Sequence, residues 1–272
     1  MSKSADNQRS NPHRGARRWL KALLRGLVPH AHRARLRALY NRVSWRFWAG
    51  EGVRCNCCDT SFRRFRLYVG DDGHRALACP RCGALGRHRV DWRFLSRETD
   101  LLARGGRLLH IAPEVCLAAP LRALDGVDYL SGDYDSSLAM EQLDVTAIAH
   151  PDGAFDAIVC NHVLQLVEDD RAALSELFRV LAPGGWALLQ SAVDERREQT
   201  AEQRQPAAER ARGRRYREVF MRLYGRDYAA RLREAGFELT VSRFARELPE
   251  EERRGLGLDE DETIYLARRP SA

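Results

Sequence analysis

The chain has 272 residues, 44% of them hydrophobic and 31% charged, and a formal net charge of +7. That length supports one substantial domain with a real core plus a small appendage. There is no run of eighteen or more uncharged apolar residues, so no transmembrane segment is expected; the N-terminus also lacks the apolar block and cleavage site of a secretory signal. A cytoplasmic location is the expectation, although an Arg-rich, acid-poor start is also what an organelle transit peptide shows.

The charge is unevenly spread. Residues 1–50 hold twelve Lys/Arg and one acid, Asp6, whereas the other 222 residues hold 33 Lys/Arg and 37 acids. A basic head on a mildly acidic body implies either an anionic partner, such as nucleic acid, a membrane surface or an acidic protein, or a merely solvated positive face. Residues 1–14 are polar and without helical or strand pattern. From Arg17 a helical stripe of Trp19, Leu20, Leu23, Leu24 and Leu27 runs to Pro29. A second stripe, Leu36, Leu39, Tyr40, Val43, Phe47 and Trp48, follows. Both stripes are expected to pack on the rest of the protein, with an interfacial membrane helix as the alternative.

Residues 51–92 are dominated by cysteine. Cys55-Asn-Cys-Cys58 and Cys79-Pro-Arg-Cys82-Gly83 are two Cys-x-x-Cys loops separated by twenty residues. Such loops present four thiolates that can converge tetrahedrally on one Zn²⁺. Four thiolates saturate the ion, which makes it structural, since a catalytic zinc keeps a position open. Cys57 is expected to be a bystander, with the option of replacing Cys55 or Cys58. A disulfide pair, a redox centre or an iron centre are the other uses of this spacing.

Beyond Asp91 short apolar strands alternate with helices, the pattern of a doubly wound, mostly parallel sheet of Rossmann-like α/β class. Strands are expected over 107–111, 127–130, 155–160, 186–190, 237–244 and 263–267. A helix is expected from about Asp169 to Leu181, closed by Pro183-Gly184-Gly185, and another over 226–235. Residues 194–215, rich in Arg, Glu and Gln, read as an exposed helix or a mobile cover. The chain thus divides into a basic helical region (1–50), a zinc ribbon (51–92) and a seven-stranded α/β domain (93–272).

In a doubly wound sheet a ligand binds at the carboxyl ends of the strands, where strand order reverses. The first strand ends in Ala112-Pro113-Glu114, and the second in Gly132-Asp133-Tyr134. An acid at that second strand end can accept hydrogen bonds from two ribose hydroxyls. Leu143-Asp144-Val145 lies where an adenine amino group can be read.

Taken together, Asp133, Asp144, Phe155-Asp-Ala-Ile-Val-Cys-Asn-His-Val-Leu164 and Glu176-Leu-Phe-Arg-Val-Leu-Ala-Pro-Gly-Gly185 resemble a class I S-adenosylmethionine (SAM)-dependent methyltransferase. The stretch 53–268 also resembles a bacterial subfamily with a Cys-Pro-x-Cys-Gly ribbon, a following Arg87-His88-Arg89, and Leu109-His-Ile-Ala-Pro-Glu114 as its first loop. The resemblance implies a methionine moiety near His110, Ala112, Pro113 and Glu114 and near Asn161 and His162. It also implies a ribose at Asp133 beside Tyr134, and an adenine flanked by Asp144 and Val145. Two positions depart from the class: Ala112-Pro113-Glu114 replaces the Gly-x-Gly turn, and Gln165-Leu166 stands where many relatives carry Glu-His.

Methyl transfer needs alignment and exclusion of water more than acid–base help. No catalytic residue is assigned; His162 is the nearest candidate base, with Tyr216, Tyr224 and Asp194 as candidate lid or acceptor-site groups. The expected acceptor is a small molecule, a glycan or a natural-product-type compound. RNA gripped through the basic head is one alternative, and a SAM-fold protein without turnover is another. The sequence does not reveal an oligomeric state.

Overall fold

The computed structural model describes residues 41, 43–69, 75–135, 138–202 and 221–271. The first amphipathic stripe, the first half of the second (Leu36, Leu39 and Tyr40), Tyr216 and most of the expected cover at 194–215 lie outside them. Of the second stripe, Val43, Phe47 and Trp48 are described: Trp48 packs on the core as expected, whereas Val43 and Phe47 are largely exposed, contrary to the expectation that they pack on the protein. The helical register breaks there: Trp45–Trp48 form a 3₁₀ turn, so Trp45 rather than Phe47 faces inward, edge-on to Phe62 at 6.4 Å.

Two antiparallel hairpins carry the cysteines. Strands β1 (Ala49–Cys55) and β2 (Thr60–Phe62) pair across the first Cys-x-x-Cys loop, and β3 (Arg66–Val69) pairs with β4 (Arg75–Ala78) just before the second. Helix α1 (Gly86–Glu98) then leads onto a seven-stranded sheet. The sequence pattern misses this helix because its first two turns bury His88, Arg89 and Asp91, polar residues that conceal the apolar period of Val90, Phe94 and Leu95. A single-turn helix, α2 (Leu101–Arg104), precedes the first strand of the sheet.

In chain order the sheet contains β5 (Gly106–Ile111), β6 (Val127–Asp133), β7 (Glu141–Gln142), β8 (Phe155–Asn161) and β9 (Leu181–Gln190). The antiparallel pair β10 (Ala201–Glu202) and β11 (Arg222–Leu223) stands apart, and β12 (Glu238–Ser242) and β13 (Ile264–Arg268) complete the sheet. The spatial order is β12-β13-β9-β8-β5-β6-β7, all parallel except β13, which runs against both its neighbours. The expected Rossmann-like, mostly parallel seven-stranded sheet is therefore present. Because β6 lies on one side of β5 and β8 on the other, the reversal of strand order falls at the end of β5.

Crossovers are made by α3 (Val115–Arg122) and α4 (Asp170–Val180), and α5 (Tyr228–Glu234) precedes β12. Asp169 caps α4, its carboxylate accepting from the Ala172 amide at 2.9 Å. That helix stops at Val180, and Pro183-Gly184-Gly185 belongs to β9 rather than to a helix end. A register shift against β8 absorbs the three residues, and a Cβ on Gly185 would sit 2.8 Å from the carbonyl oxygens of Ala182 and Asp156.

Alternation along the strands divides the core in two. Leu109, Ile111, Ile158, Cys160 and Leu189 face α4 and α5, whereas Leu108, Ala157, Val159 and Leu188 face α1, α3 and the short helix α6 (Phe244–Glu247). The second face also takes Phe62, Phe65, Cys55 and Cys79 from the hairpins. Each buried Phe contributes about 2–3 kcal/mol, so packing as well as a tether holds the cysteine unit on the sheet. Arg89, fully buried, adds polar ties: it stacks on Phe65 and donates to the carbonyls of Leu77, Ala84 and Gly257. Gly257 closes a further helix, α7 (Glu250–Leu256), whose Glu252 accepts from Arg93 at 2.7 Å.

Candidate functional site

The four-cysteine centre is built from two knuckles. The amides of Arg81 and Cys82 point at Cys79 Sγ, both at 3.4 Å, and Gly83 takes φ +79° as its amide returns to the Cys79 carbonyl. Cys55 Sγ lies 3.7 Å from Cys82 Sγ, Cys58 Sγ lies 3.7 Å from Cys79 Sγ, and all four sulfurs lie within 4.8 Å of one another. Four sulfurs tetrahedrally placed about 2.3 Å from one ion stand about 3.8 Å apart, so the donor set and its spacing fit Zn²⁺. Cys57 turns away, its thiol directed at the His88 carbonyl.

The second site is a cavity of about 680 Å³ over the carboxyl ends of β5, β6 and β8. Ala112, Pro113, Glu114, Asp133, Tyr134, Asp144, Val145, Asn161 and His162 all line it. His110 does not: it is fully buried behind the wall, with Nδ1 3.1 Å from the Tyr129 hydroxyl and Nε2 2.9 Å from Glu114 Oε2. Its side chain holds Glu114 in place rather than facing the cavity.

Two strand ends open the crevice in the same way. Ala112 after β5 and His162 after β8 take left-handed backbone conformations, φ +49° and +55°, and their amides donate to Gly132 and Gln190 at 2.8 Å. A non-glycine residue pays about 1–2 kcal/mol for this conformation. Ala112 thus makes the turn that a glycine would make, while its methyl stays on the wall. On the floor, Gly132 is required because a Cβ there would lie 2.6 Å from Leu143 Cβ.

The acids differ in their surroundings. Asp133, buried at the end of β6, accepts from the Asp135 amide at 3.1 Å. Asp144 is exposed and caps its own turn, one oxygen accepting from the Thr146 amide and hydroxyl. Burial alone would raise the Glu114 carboxyl, but the hydrogen bond and charge of His110, with His88 and His162 nearby, bring it down to about 2. Burial lowers His162 to about 4, helped by the Arg87 charge, so its imidazole is neutral at physiological pH.

Arg87, Gln165 and Leu166 also line the cavity. Arg87 comes from α1, and its only signal in the sequence was the Arg87-His88-Arg89 run beside the ribbon. Behind Asn161 lies an acid pair: Asn161 Nδ2 donates to Asp91 at 3.3 Å, and Gln190 Nε2 reaches Asp91 and Glu262. Burial raises both, Glu262 to about 7, with the Asp259 charge adding to the latter.

The loop after β8 is clamped from outside. Arg222, almost wholly buried, donates to the carbonyls of Leu164, Val167 and Glu168 and lies 3.7 Å from Asp170. Tyr224 is fully buried with its hydroxyl on Asp170 at 2.7 Å, and Asp194 is paired with Arg196 and Arg197. Neither Tyr224 nor Asp194, read from the sequence as candidate lid or acceptor-site groups, is among the residues lining the cavity; Tyr224 packs in the core and Asp194 forms a turn.

With this geometry in view, residues 115–189 match the family model described as a methyltransferase domain. Among curated proteins the chain is 31% identical over 113 residues to a demethylmenaquinone methyltransferase of Beutenbergia cavernae, covering 38% of this chain and 47% of that protein. It is 30% identical over 162 residues to a ubiquinone/menaquinone biosynthesis C-methyltransferase of Geobacter sulfurreducens, covering 49% and 63%. The chain therefore spans about half to just under two thirds of the length of these relatives. A solved structure of an S-adenosylmethionine-dependent methyltransferase from Mesorhizobium loti is similar with a TM-score of 0.46, at 16% identity, over 66% of this chain and 97% of that one. The segment from α3 through β9, which supplies most of the cavity wall, is thus similar in sequence to a methyltransferase domain.

Proposed function

We propose that the protein is a SAM-dependent methyltransferase acting on a small-molecule acceptor, with a structural zinc held by Cys55, Cys58, Cys79 and Cys82. The observation that carries this reading is the cavity at the strand reversal, with acids at the ends of β5 and β6 and most of its wall inside the stretch matched by the methyltransferase-domain model. The names of the two curated relatives support a small-molecule acceptor over a glycan. Most of the basic head that suggested RNA, residues 1–40, lies outside the described residues.

The cofactor, when bound, supplies a methyl group already activated on a sulfonium sulfur. The chain's residues bind and orient. Asp133 accepts from the ribose hydroxyls, Leu143 and Val145 flank the adenine, and Asp144 keeps one carboxylate oxygen for its amino group. Glu114, ionised and held by His110, faces the positively charged amino-acid end. His162 is neutral and carries no hydrogen bond from its ring among the described residues, so it can take a proton from an acceptor that must lose one. At about 4 it is a weak base, suited to an acceptor that is already nucleophilic.

Asp133→Ala removes two hydrogen bonds to the ligand and should weaken SAM binding about 30- to 1000-fold. Calorimetric titration of the purified variant with SAM reads this directly. Unchanged affinity would sink the assignment.

A further inference from the structure

The cavity is electrically lopsided. Its lining contains four carboxylates, Glu114, Asp133, Asp135 and Asp144, and among the described lining residues a single Lys or Arg, Arg87. An anionic group on any ligand is repelled from the Asp133–Asp144 end and, among the described residues, has Arg87 to meet.

Arg87 is placed to meet it. It is the second residue of α1, and the start of that helix is wedged in place: a Cβ on Gly86 would lie 3.1–3.2 Å from Asp259, and Arg89 is locked under Phe65. Arg87 Nε is buried without a hydrogen-bond partner, and its guanidinium forms no hydrogen bond or ion pair among the described residues. A buried, unpaired guanidinium donor costs free energy unless a ligand supplies the acceptor. Asp91 and Glu262 are the nearby acids, yet neither is within ion-pairing distance, and burial pushes the Asp91 carboxyl well above its usual range and Glu262 up to about 7. They do not cancel the Arg87 charge.

A second orphan lies on the same wall. Asn161 is 4% exposed, its Nδ2 is committed to Asp91, and its Oδ1 is buried without a partner. A guanidinium with free donors, an amide oxygen with no donor and an ionised Glu114 together complement an α-amino acid: carboxylate to the first, ammonium to the other two.

We infer that Arg87, supplied by the helix that leaves the cysteine unit, binds the α-carboxylate of the cofactor's amino-acid moiety, while Asn161 Oδ1 accepts from its ammonium. The inference rests on the reading of this cavity as a SAM site and assigns the group that anchors its anionic end.

The test is calorimetric titration of wild type, Arg87→Gln and Arg87→Lys with S-adenosylhomocysteine and with 5′-methylthioadenosine, which lacks the amino-acid end. Arg87→Gln should weaken S-adenosylhomocysteine about 20- to 100-fold, the scale of a charge-assisted pair, and change methylthioadenosine less than about 3-fold. Arg87→Lys should restore part of the loss, since it keeps the charge without the fork. Unchanged S-adenosylhomocysteine affinity in Arg87→Gln would assign the cation to an anionic acceptor and overturn the inference. Equal weakening of both ligands would overturn it in favour of a structural role. Wild type that binds neither ligand removes the SAM reading itself, and the Arg87 assignment with it.

Discussion

The four-cysteine centre and the cavity achieve order by different means. In the first, every ligand comes from one of two four-residue turns, the second closed by its own amide–sulfur and amide–carbonyl bonds and the first held between the paired strands β1 and β2. In the second, the walls come from α1, three strand ends and the loop after β8, so no short segment contains the site. A local centre survives if its turns form; a distributed one needs the packing of the whole sheet. The difference is not independence, however, because Arg87 and Arg89 sit two residues apart on one helix, one facing the cavity and one buried under the cysteine unit.

The largest expected effect tests that link. Cys79→Ser, or stripping of metal by a strong chelator, should lower stability by about 4 kcal/mol or more, because structural zinc binding is folding free energy. It should also weaken S-adenosylhomocysteine about 10-fold or more, as the start of α1 loosens. Retention of full affinity in a metal-free, folded protein would show that the cavity keeps its order without the cysteine unit.

Next in size is the clamp on the cavity side. Arg222→Met removes the guanidinium donor from three backbone carbonyls and a cation from beside Asp170, a loss of about 3 kcal/mol. Chemical denaturation should show that loss together with weaker cofactor binding, while metal content stays at one ion per chain. A drop in metal content would mean that the two regions unfold as one.

The smallest effect concerns pH. Glu262 is raised from 4.5 to about 7, so its contribution is complete below about 4.5 and is lost as pH rises through 7. Glu262→Gln keeps an acceptor for Gln190 and cannot ionise, so it should flatten the fall in melting temperature between pH 5 and 8 by a few degrees. His88 and His162, lowered by burial to about 3 and about 4, act in the opposite sense: their contribution is complete above about 6.5 and is lost on acidification through those values. Parallel melting curves of wild type and Glu262→Gln across that range would show that Glu262 ionises freely in the folded state.

Much of this was legible in advance, and for identifiable reasons. The cysteine spacing was readable because a Cys-x-x-Cys turn is local chemistry. Strand cores such as Leu108-Leu109 and Ile158-Val159 were readable because strands buried on both faces are continuously apolar. The cavity residues at the ends of β5, β6 and β8 were readable because parallel topology brings strand ends to one edge.

The failures have an equally physical basis. Helix α1 was missed because its buried face is polar, and polar burial is permitted only by partners far off in the chain: the Gly257 carbonyl for Arg89, Gln190 and Asn161 for Asp91. Pro183-Gly184-Gly185 was read as the end of a helix because only the bulge against β8 makes it strand. Val43 and Phe47 were expected to be buried because apolar period alone does not say what is available to cover a face.

The sequence by itself determined the sheet, the edge that carries the cavity and the four sulfur donors, since each follows from period, topology or spacing within a few residues. Tertiary structure alone decided that His110 works through Glu114 and that Tyr224 is core. It also decided that the one Lys or Arg lining the cavity among the described residues comes from the helix leaving the cysteine unit. Those outcomes depend on which distant groups can satisfy a buried charge or hydrogen bond, and that is settled by packing.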